Sequence, residues 1–235
     1  DGVNQDYNKA IKYYELAAKQ NYPASLSNLA KFYMEGLGGI KPDYQKAIFY
    51  LTRSAELNNK NAFYNLGILY RKGWGVERDY SKALKCYQLA GPNNADALFN
   101  IGTFYFEGIG VDKNFEKAKE YFELAANLND SGGLLNLGFM YFNGYGVEKD
   151  ISRSIKLFES SAKQNNPVAI NNLAYIYLYG IGIPHDYDKA RYYYEILEKQ
   201  NDSFASNSLG LMYIMGYGVK KDYSKAKSHF EKAAK

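Results

Sequence analysis

The glycines of the segment GWGVER, residues 73–78, are the first candidates for chemistry in this chain of 235 residues. Glycine-rich loops that lead into a helix can bind phosphate through their backbone amides. A dinucleotide-binding fingerprint, however, needs a preceding strand and a third glycine, and a P-loop needs Gly-Lys followed by Ser or Thr. The segment has none of these features, and related segments occur five more times along the chain. We therefore interpret it as a structural turn.

The two histidines and the single cysteine are the next candidates, for catalysis or metal binding. His185 lies in a loop beside Asp186, whereas His229 and Cys86 occupy one equivalent helical position at which other copies have tyrosine. No Ser/His/Asp set and no cluster of metal ligands accompanies them. The sequence therefore predicts no enzymatic activity, no metal and no cofactor. Because one cysteine cannot form an internal disulfide, the composition favours a reducing compartment.

Composition and charge narrow the classes of partner. The chain is 46% hydrophobic and 23% charged, as in globular proteins, and its 25 tyrosines are the exception. The net charge of +4 is small for this length, and Lys and Glu are interspersed, so nucleic-acid binding is not predicted. No run of 18 apolar residues occurs, so no membrane span is predicted either.

The glycine motif belongs to an internal repeat of about 36 residues. Its copies begin at Gly36, Gly73, Gly108, Gly144, Gly180 and Gly216. Each motif follows one helical pattern, helix A, and precedes a second, helix B. An Asp before nearly every B helix can cap the first turn, and the first glycine of each motif stands where a helix end needs a left-handed residue.

These helix pairs predict a stacked architecture, because one pair cannot bury both of its faces. Small residues recur at one position of each helix and favour close contact, and a recurring tyrosine of helix A is expected to fill the space between pairs. The predicted fold is an all-α, right-handed superhelical α/α solenoid of about six pairs, preceded by an orphan helix at 6–19. We interpret residues 1–235 as one domain, with repeats at approximately 23–57, 60–90, 95–128, 131–164, 167–200 and 203–235.

Two places depart from the repeat. Glu198 occupies a position at which other copies have alanine, and a carboxylate at a small buried site needs a partner or a local loosening. Gly132 and Gly133 open one A helix and are expected to weaken its first turn.

Residues 97–126, ALFNIGTFYFEGIGVDKNFEKAKEYFELAA, fit a known repeat pattern with Ile101 and Asn114 as small departures. The pattern is A-x-x-x-L-G-x-x-Y-x-x-G-x-G-V followed by D-x-x-K-A-x-x-Y-[YF]-x-x-A-A. With six copies over nearly the whole chain, the protein resembles the Sel-one-like repeat family. A tetratricopeptide array fits less well, because its period is about 34 residues and it lacks the Gly-x-Gly turn.

The resemblance carries expectations of fold and role. It implies a superhelix whose A helices line the concave side. It also implies an adaptor in protein complexes, as in signalling, endoplasmic-reticulum quality control or bacterial contact with host cells. Some members of the family carry a disulfide within each repeat, which this sequence lacks.

One stripe of helix A is expected to face the concave groove, and asparagine recurs there, at Asn28, Asn65, Asn100, Asn136 and Asn172. A ladder of carboxamides could bind an extended peptide backbone, because each side chain offers donors and an acceptor. Alternatively, each Asn bonds to a neighbouring helix and maintains the stack. The residues by themselves leave both interpretations open.

Varied side chains surround this stripe and form the rest of the candidate groove. They are Arg71, Lys72, Phe99, Phe106, Phe139, Phe142, Tyr175 and Tyr179. Exposed apolar patches mark interaction sites, although some of these aromatics could instead pack between repeats. Our hypothesis is that a partner places apolar side chains on the aromatics and a carboxylate near Arg71 and Lys72.

The predicted function is a non-catalytic scaffold or adaptor that binds a partner peptide or protein in the groove of the A helices. The alternative is a regulatory or targeting module of a larger enzyme, or of a host-interaction or quality-control complex. The chain opens inside a repeat and stops directly after FEKAAK, so we expect a piece of a longer protein. Each terminal B helix would leave an apolar face uncovered, which predicts end-to-end self-association.

Overall fold

The computed structural model describes residues 6–234 of the chain; the opening segment DGVNQ and Lys235, which the predicted repeats and domain include, lie outside the described residues. Within that range every regular element is helical and no strand occurs. The elements are thirteen α-helices and a short 3-10 turn, Leu37–Gly39. The α-helices are α1 (Tyr7–Lys19), α2 (Pro23–Glu35), α3 (Tyr44–Glu56), α4 (Lys60–Lys72), α5 (Tyr80–Ala90), α6 (Ala95–Glu107), α7 (Phe115–Asn127), α8 (Ser131–Asn143), α9 (Ile151–Ala162), α10 (Pro167–Tyr179), α11 (Tyr187–Glu198), α12 (Ser203–Met215) and α13 (Tyr223–Ala233).

The helices alternate between the two predicted types. Even-numbered helices are A helices and odd-numbered helices are B helices, with α1 as the orphan. Within a repeat α2 packs on α3, α4 on α5, α8 on α9, α10 on α11 and α12 on α13. Each A helix from α2 to α6, and both α10 and α12, also pack on the preceding B helix. This arrangement confirms the predicted all-α fold of six helix pairs after an orphan helix.

By its internal contacts the chain forms two compact units, residues 1–124 and 125–235, with the division inside α7. The first unit has its core between successive helices, around Leu29, Leu51 and Ile101. The second unit has a core that runs from Ile155 in α9 to Met212 in α12. The interpretation of the whole chain as one domain stays a prediction.

The predicted helix boundaries are confirmed. Each B-helix cap accepts a hydrogen bond from the backbone amide three residues later, as Asp79 Oδ1 does from Lys82 at 2.8 Å and Asn114 Oδ1 from Lys117 at 2.8 Å. The first glycine of every motif is left-handed, with φ between 62° at Gly180 and 79° at Gly144. The chain therefore leaves each A helix and enters each B helix through residues that suit those roles.

A second left-handed position was not predicted. Asparagines with φ between 59° and 63° follow five of the B helices: Asn21, Asn58, Asn129, Asn165 and Asn201. Asparagine tolerates this conformation better than other residues that carry a side chain. Most of these residues precede another Asn or Asp that caps the next A helix, such as Asn59, Asp130 and Asp202. Much of the asparagine in this sequence therefore serves the B-to-A turns.

The second glycine of the motif makes a contact between repeats. At Gly75 a Cβ atom would lie 2.6 Å from Cβ of Tyr44, the first residue of the preceding B helix. The same approach occurs between Gly110 and Tyr80 at 2.5 Å, and between Gly218 and Tyr187 at 2.4 Å. Such distances leave no room for a side chain. The GWGVER segment is therefore a structural turn, as predicted, and it also joins neighbouring repeats.

The small residues of the A helices make room for aromatic rings. A Cβ atom at Gly67 would lie 2.5 Å from the Tyr87 ring, and one at Gly102 would lie 2.6 Å from the Phe122 ring. Gly133 has a similar role, since its Cβ would lie 2.6 Å from Cβ of Ala125. The expected close contact is confirmed, and the glycine at the start of α8 has a packing reason.

The recurring tyrosine of helix A makes a ring contact that the sequence did not predict. Instead of filling only the space between pairs, its ring stacks on a ring of the B helix in its own repeat. The stacked pairs are Tyr33–Tyr50, Tyr105–Tyr121, Tyr177–Tyr193 and Tyr213–His229, with centroids 5.4–6.1 Å apart. Such pairs add to the stability that burial provides.

A cation from the first turn of helix B lies over the same tyrosine. In the first pair Lys46 Nζ lies 5.0 Å from the centre of the Tyr33 ring and 3.5 Å from Oδ2 of the capping Asp43. The same cation–ring contact occurs in Lys82–Tyr70, Lys117–Tyr105, Arg153–Tyr141, Lys189–Tyr177 and Lys225–Tyr213. The D-x-x-K part of the repeat therefore ties the cap to the stacked rings.

Candidate functional site

The asparagines of the predicted stripe differ in the hydrogen bonds that their side chains make. Asn100 is buried and donates to the carbonyl of Asp96 at 2.7 Å, and Asn136 donates to the carbonyl of Gly132 at 3.0 Å. These bonds lie within one helix, whereas the structural interpretation expected bonds to a neighbouring helix. Asn28, Asn65 and Asn172 make no side-chain hydrogen bond among residues 6–234, so their carboxamides can bind a ligand.

Asn28 and Asn65 line one cleft of about 650 Å³ in the first unit. The cleft crosses the A helices α2 and α4 and reaches the start of α6. Its apolar lining is Met34, Tyr64, Ile68 and Trp74. Further carboxamides at its edge come from Asn59, Asn61 and Asn94. Trp74 stacks on Tyr44 with ring centroids 5.3 Å apart and also borders the cleft.

Two of the carboxamides at the edge hold the cleft in shape. Asn59 donates to the carbonyl of Pro23 at 3.0 Å and to Ser27 Oγ at 3.1 Å, which ties α4 to α2. Asn94 caps α6 by accepting from the amide of Ala97 at 2.9 Å. Asn59 is therefore engaged in the contact between α2 and α4 and Asn94 Oδ1 in the helix cap, whereas the side chains of Asn28, Asn61 and Asn65 make no hydrogen bond among the described residues.

The charges of the cleft differ from the hypothesis. Its lining includes Lys31 and Asp96, and Lys31 pairs with Glu35 at 3.7 Å. Arg71 and Lys72 are not among the described residues that line this cleft. The cleft therefore offers charges of both signs.

Arg71 and Lys72 have separate surroundings. Burial raises the pKa of Tyr87, and the positive charge of the half-buried Arg71 opposes that shift, which places the guanidinium near the Tyr87 hydroxyl. Lys72 is exposed and lies 5.8 Å from the centre of the Trp74 ring. A shared carboxylate site at these two residues stays a prediction.

The aromatic candidates divide into packed and exposed groups. Phe106 is half-buried 5.3 Å from the Phe115 ring, Phe99 lies 6.1 Å from the Phe122 ring, and Phe142 packs against the core of the second unit. Tyr175 and Tyr179 are 47% and 55% exposed, with ring centroids 4.6 Å apart. The second group, not the first, offers surface to a partner.

The exposed group belongs to an apolar surface on the A helices of the second unit. Its residues are Phe139 of α8, Tyr175 and Tyr179 of α10, and Leu211 and Met215 of α12. They occupy two equivalent positions of the repeat, one helical turn apart. The first unit has Lys31, Ile68 and Thr103 at the first of these positions and Glu35, Lys72 and Glu107 at the second. At these two positions of the repeat, the A helices of the second unit are therefore more apolar than those of the first unit.

The residues considered for catalysis have structural surroundings. His185 Nδ1 lies 2.8 Å from the carbonyl oxygen of Leu178, and the ring stacks on Tyr187. Cys86 is half-buried against the core, and burial raises the pKa of its thiol to about 11, which disfavours a reactive thiolate. In the described part of the chain no three metal-ligating side chains come together.

Glu198 has the partner that its position required. Its side chain is 12% exposed, with Oε1 2.6 Å from His229 Nδ1 and Oε2 2.8 Å from Lys232 Nζ. Burial alone would raise the pKa of this carboxyl, but the hydrogen bonds and charges of Lys232 and His229 outweigh it and hold the pKa below its ordinary value. Sequence spacing gave no signal for this cluster, because 31 residues separate Glu198 from His229.

Replacing Glu198 by glutamine is expected to lower the free energy of unfolding at pH 7 by about 1 kcal/mol, because the exposure of Lys232 limits the gain from pairing. A carboxyl with a lowered folded-state pKa stabilises above its unfolded pKa and loses that contribution as the pH falls through the folded pKa. The difference between wild type and variant should therefore shrink below about pH 4.5. Urea unfolding of the wild type and the variant at pH 7 and at pH 3 measures this difference.

Glu195→Gln is the matched control for this cluster, because Glu195 is exposed and lies 3.7 Å from Arg191. It should change stability by less than about 0.5 kcal/mol at either pH. An equal loss for Glu198→Gln at pH 7 and pH 3 would contradict the assigned role of the ionised carboxylate.

The helix pairs and the Gly-x-Gly turn define an α/α repeat protein of the solenoid class. The Sel1 repeat model matches seven segments, at 1–22, 23–59, 62–91, 95–130, 131–166, 167–202 and 203–235. Together they cover nearly the whole chain, so the chain belongs to the Sel1 repeat family. No curated protein sequence matches the chain significantly.

Solved structures agree with this family. A Sel1 repeat protein from Oxalobacter formigenes is 30% identical, with a TM-score of 0.82, and the match covers 97% of this chain and 96% of that one. A protective antigen of uropathogenic Escherichia coli with an SLR fold is 28% identical, with a TM-score of 0.90. The match covers 99% of this chain and 49% of the antigen, so the chain spans about half the antigen's length.

A more distant structure supports the fold alone. An immunity protein from Pseudomonas aeruginosa is 22% identical, with a TM-score of 0.55, over 84% of this chain and 76% of that one. Sel1 repeat proteins generally mediate protein–protein interactions, and this is the class of function that the family defines. Among residues 6–234 no helix has the length and apolar character that crossing a membrane requires.

Proposed function

We propose that this protein is a non-catalytic interaction scaffold that binds an extended segment of a protein partner in the cleft between α2, α4 and α6. The supporting observation is that Asn28 and Asn65 face one cleft with side chains that make no hydrogen bond among the described residues. A carboxamide can donate to a peptide carbonyl and accept from a peptide amide, so two of them at one repeat spacing suit a peptide backbone.

The other residues that line the cleft determine which side chains of a bound peptide it would favour. Met34, Ile68 and the aromatic residues of the cleft form an apolar floor for one large side chain. Lys31 is paired with Glu35, which also lines the cleft, and Asp96 adds a second negative charge, so the segment is expected to carry a basic residue near Asp96.

The apolar surface of the second unit supplies a different contact in this proposal. Tyr175 and Tyr179 are the largest side chains of that surface, and exposed tyrosines bind at low cost in conformational entropy. Partners that carry apolar residues are expected to use it. Of the aromatic residues in the sequence hypothesis, this proposal keeps Tyr175 and Tyr179 as anchors and does not use Phe106 and Phe142.

The test is a selection of random 12-residue peptides on the wild-type protein, followed by calorimetry with those enriched. We expect Asn28→Ala with Asn65→Ala to weaken binding of the selected peptides about tenfold or more, because each loses hydrogen bonds to the peptide backbone. Asn207→Ala is the matched control, since Asn207 is an exposed asparagine of helix α12 outside the cleft.

Two results would contradict the proposal. One is the absence of any enriched peptide that binds in calorimetry. The other is equal affinity for the wild type and the double variant, with helical content unchanged by circular dichroism. Separate selections on Tyr175→Ala with Tyr179→Ala show whether peptides use the apolar surface instead.

A further inference from the structure

A second cavity, of about 430 Å³, lies in the second unit where α9, the start of α10 and α11 meet. Ile170 and Ile196 give it an apolar lining, and the side chains of Tyr192 and Tyr193 also line it. Among the described residues, Glu159 is the one carboxylate in this lining. Because Tyr192 is 58% exposed, the cavity is accessible from the surface.

The Glu159 carboxylate lies beside tyrosine hydroxyl groups. The hydroxyl of Tyr177 donates to Glu159 Oε1 at 3.4 Å. Burial raises the pKa of Tyr193 to about 12, and the negative charge of Glu159 adds to that shift, which places the carboxylate near the Tyr193 hydroxyl. The half-buried carboxylate is therefore held in place by neutral groups.

Glu159 forms no ion pair in the part of the chain that the structure describes. In three other B helices the glutamate at the equivalent position pairs with a cation four residues earlier. These pairs are Lys119–Glu123 at 3.0 Å, Arg191–Glu195 at 3.7 Å and Lys227–Glu231 at 3.8 Å. In α9 the earlier position is the buried Ile155, so the usual intrahelical cation is missing there.

The next two B helices show how a cation uses the equivalent space. Lys232 of α13 reaches across to Glu198 of α11, with Nζ 2.8 Å from Oε2. In α11 the position of Lys232 is taken by Ile196, and in α9 the carboxylate of Glu159 lies one helical turn before the position of Glu198. The cavity between α9 and α11 therefore has a carboxylate without the cation that its neighbour provides.

We propose that this cavity binds an arginine side chain of a protein partner. The guanidinium group forms two parallel hydrogen bonds to the Glu159 carboxylate and lies against the ring of Tyr192 or Tyr193. The methylene stem of the arginine contacts Ile170 and Ile196. Lysine suits the site less well, because its ammonium group lacks the planar fork that pairs with a carboxylate and stacks on a ring.

Free arginine fits the cavity less well than an arginine within a protein. Its α-ammonium group would need a second acceptor, and the described lining has a single carboxylate. Lys163 also lines the cavity and would repel that ammonium group. This inference does not depend on peptide binding in the α2–α4–α6 cleft.

The probe is Nα-acetyl-arginine amide, which has an arginine side chain and no terminal charges. It is added to the isotope-labelled protein and followed by nuclear magnetic resonance. We expect saturable shifts of amides around Glu159 and Tyr193, with a dissociation constant on the order of 1 mM for this single side chain. The matching citrulline derivative has a similar shape without the charge and should bind about tenfold more weakly.

Two variants of the protein test the role of the carboxylate. Glu159→Gln should weaken binding of the arginine derivative about tenfold, although its amide oxygen can still accept from Tyr177. Ile196→Lys places at the cavity the cation that Lys232 provides in the next repeat, and it should weaken binding about fivefold or more.

Glu123→Gln is the matched control, because Glu123 has the equivalent position in α7, pairs with Lys119 and is not among the residues that line the cavity. It should leave the affinity unchanged. Circular dichroism of each variant shows whether the helices are intact.

Three results would overturn the proposal. They are the absence of saturable shifts in α9 and α11, equal affinity for the arginine and citrulline derivatives, and unchanged affinity in Glu159→Gln. Free arginine tests the other source of the same side chain. Tighter binding of free arginine than of the capped derivative would mean a small-molecule site and would also overturn the proposal.

Discussion

Replacing Gly218 by alanine is expected to lower the free energy of unfolding of the second unit by about 2–4 kcal/mol, through left-handed strain and overpacking together. Gly218 has φ +64°, and an added Cβ would lie 2.4 Å from Cβ of Tyr187. The Tyr187 Cβ is fixed to the α11 backbone and cannot rotate away. Either the turn or the start of α11 must therefore move.

Gly216→Ala separates the two causes of that loss. Gly216 has φ +78°, but the atom nearest to its added Cβ is Cγ of the Lys221 side chain at 3.2 Å, which can move aside. This variant should cost about 1 kcal/mol, the backbone contribution alone. Urea unfolding of both variants measures the difference. Equal losses would show that the contact between Gly218 and Tyr187 contributes nothing.

The second large effect is expected at the glycine–aromatic contact between α8 and α9. A Cβ at Gly138 would lie 2.8 Å from the Phe158 ring, and Phe158 is 1% exposed. Gly138→Ala should destabilise by about 1–3 kcal/mol through overpacking. Phe158→Leu should destabilise by a similar amount, about 1–2 kcal/mol, through the space that it leaves.

The double variant should lose less free energy of unfolding than the two single variants lose together. The first repeat pairs alanine with leucine at these positions, Ala30 and Leu51, and buries both completely. We therefore expect Gly138→Ala and Phe158→Leu to offset each other by about 1 kcal/mol or more in a double-mutant cycle.

Gly210→Ala combined with Phe158→Leu is the matched control, because Gly210 faces Phe230 in another repeat. The losses in the free energy of unfolding caused by Gly210→Ala and Phe158→Leu should be additive. Full additivity at Gly138 and Phe158 as well would mean that the ring moves freely away from the new methyl group.

The two glycines of the turn differ in how far the sequence predicts their roles. The left-handed first glycine was predictable from its place after a helical pattern, because a helix end is a local feature. The role of the second glycine was not, since it depends on Tyr44 or Tyr187 in the repeat before. The asparagines at 58 and 201 show the same limit, because their positive φ comes from the B-to-A turn rather than from any motif.

The candidate site was predictable only in part. Helical spacing placed Asn28 and Asn65 on one face, and the structure brings both to one cleft. The same spacing placed Asn100 with them, yet that side chain turns back to its own helix. Arg71 and Phe106 occupy equivalent positions, and both are half-buried near a ring of their own repeat rather than open to a partner.

The sequence by itself determined the helix order, the caps, the repeat length and the family. Those features rest on interactions within a few residues, and six copies repeat each signal. Only the tertiary structure decided which side chains stay free and how Glu198 meets His229 and Lys232. Those outcomes depend on distances of a few ångströms between helices about 30 residues apart in the chain, and helical periodicity fixes a face but not such a distance.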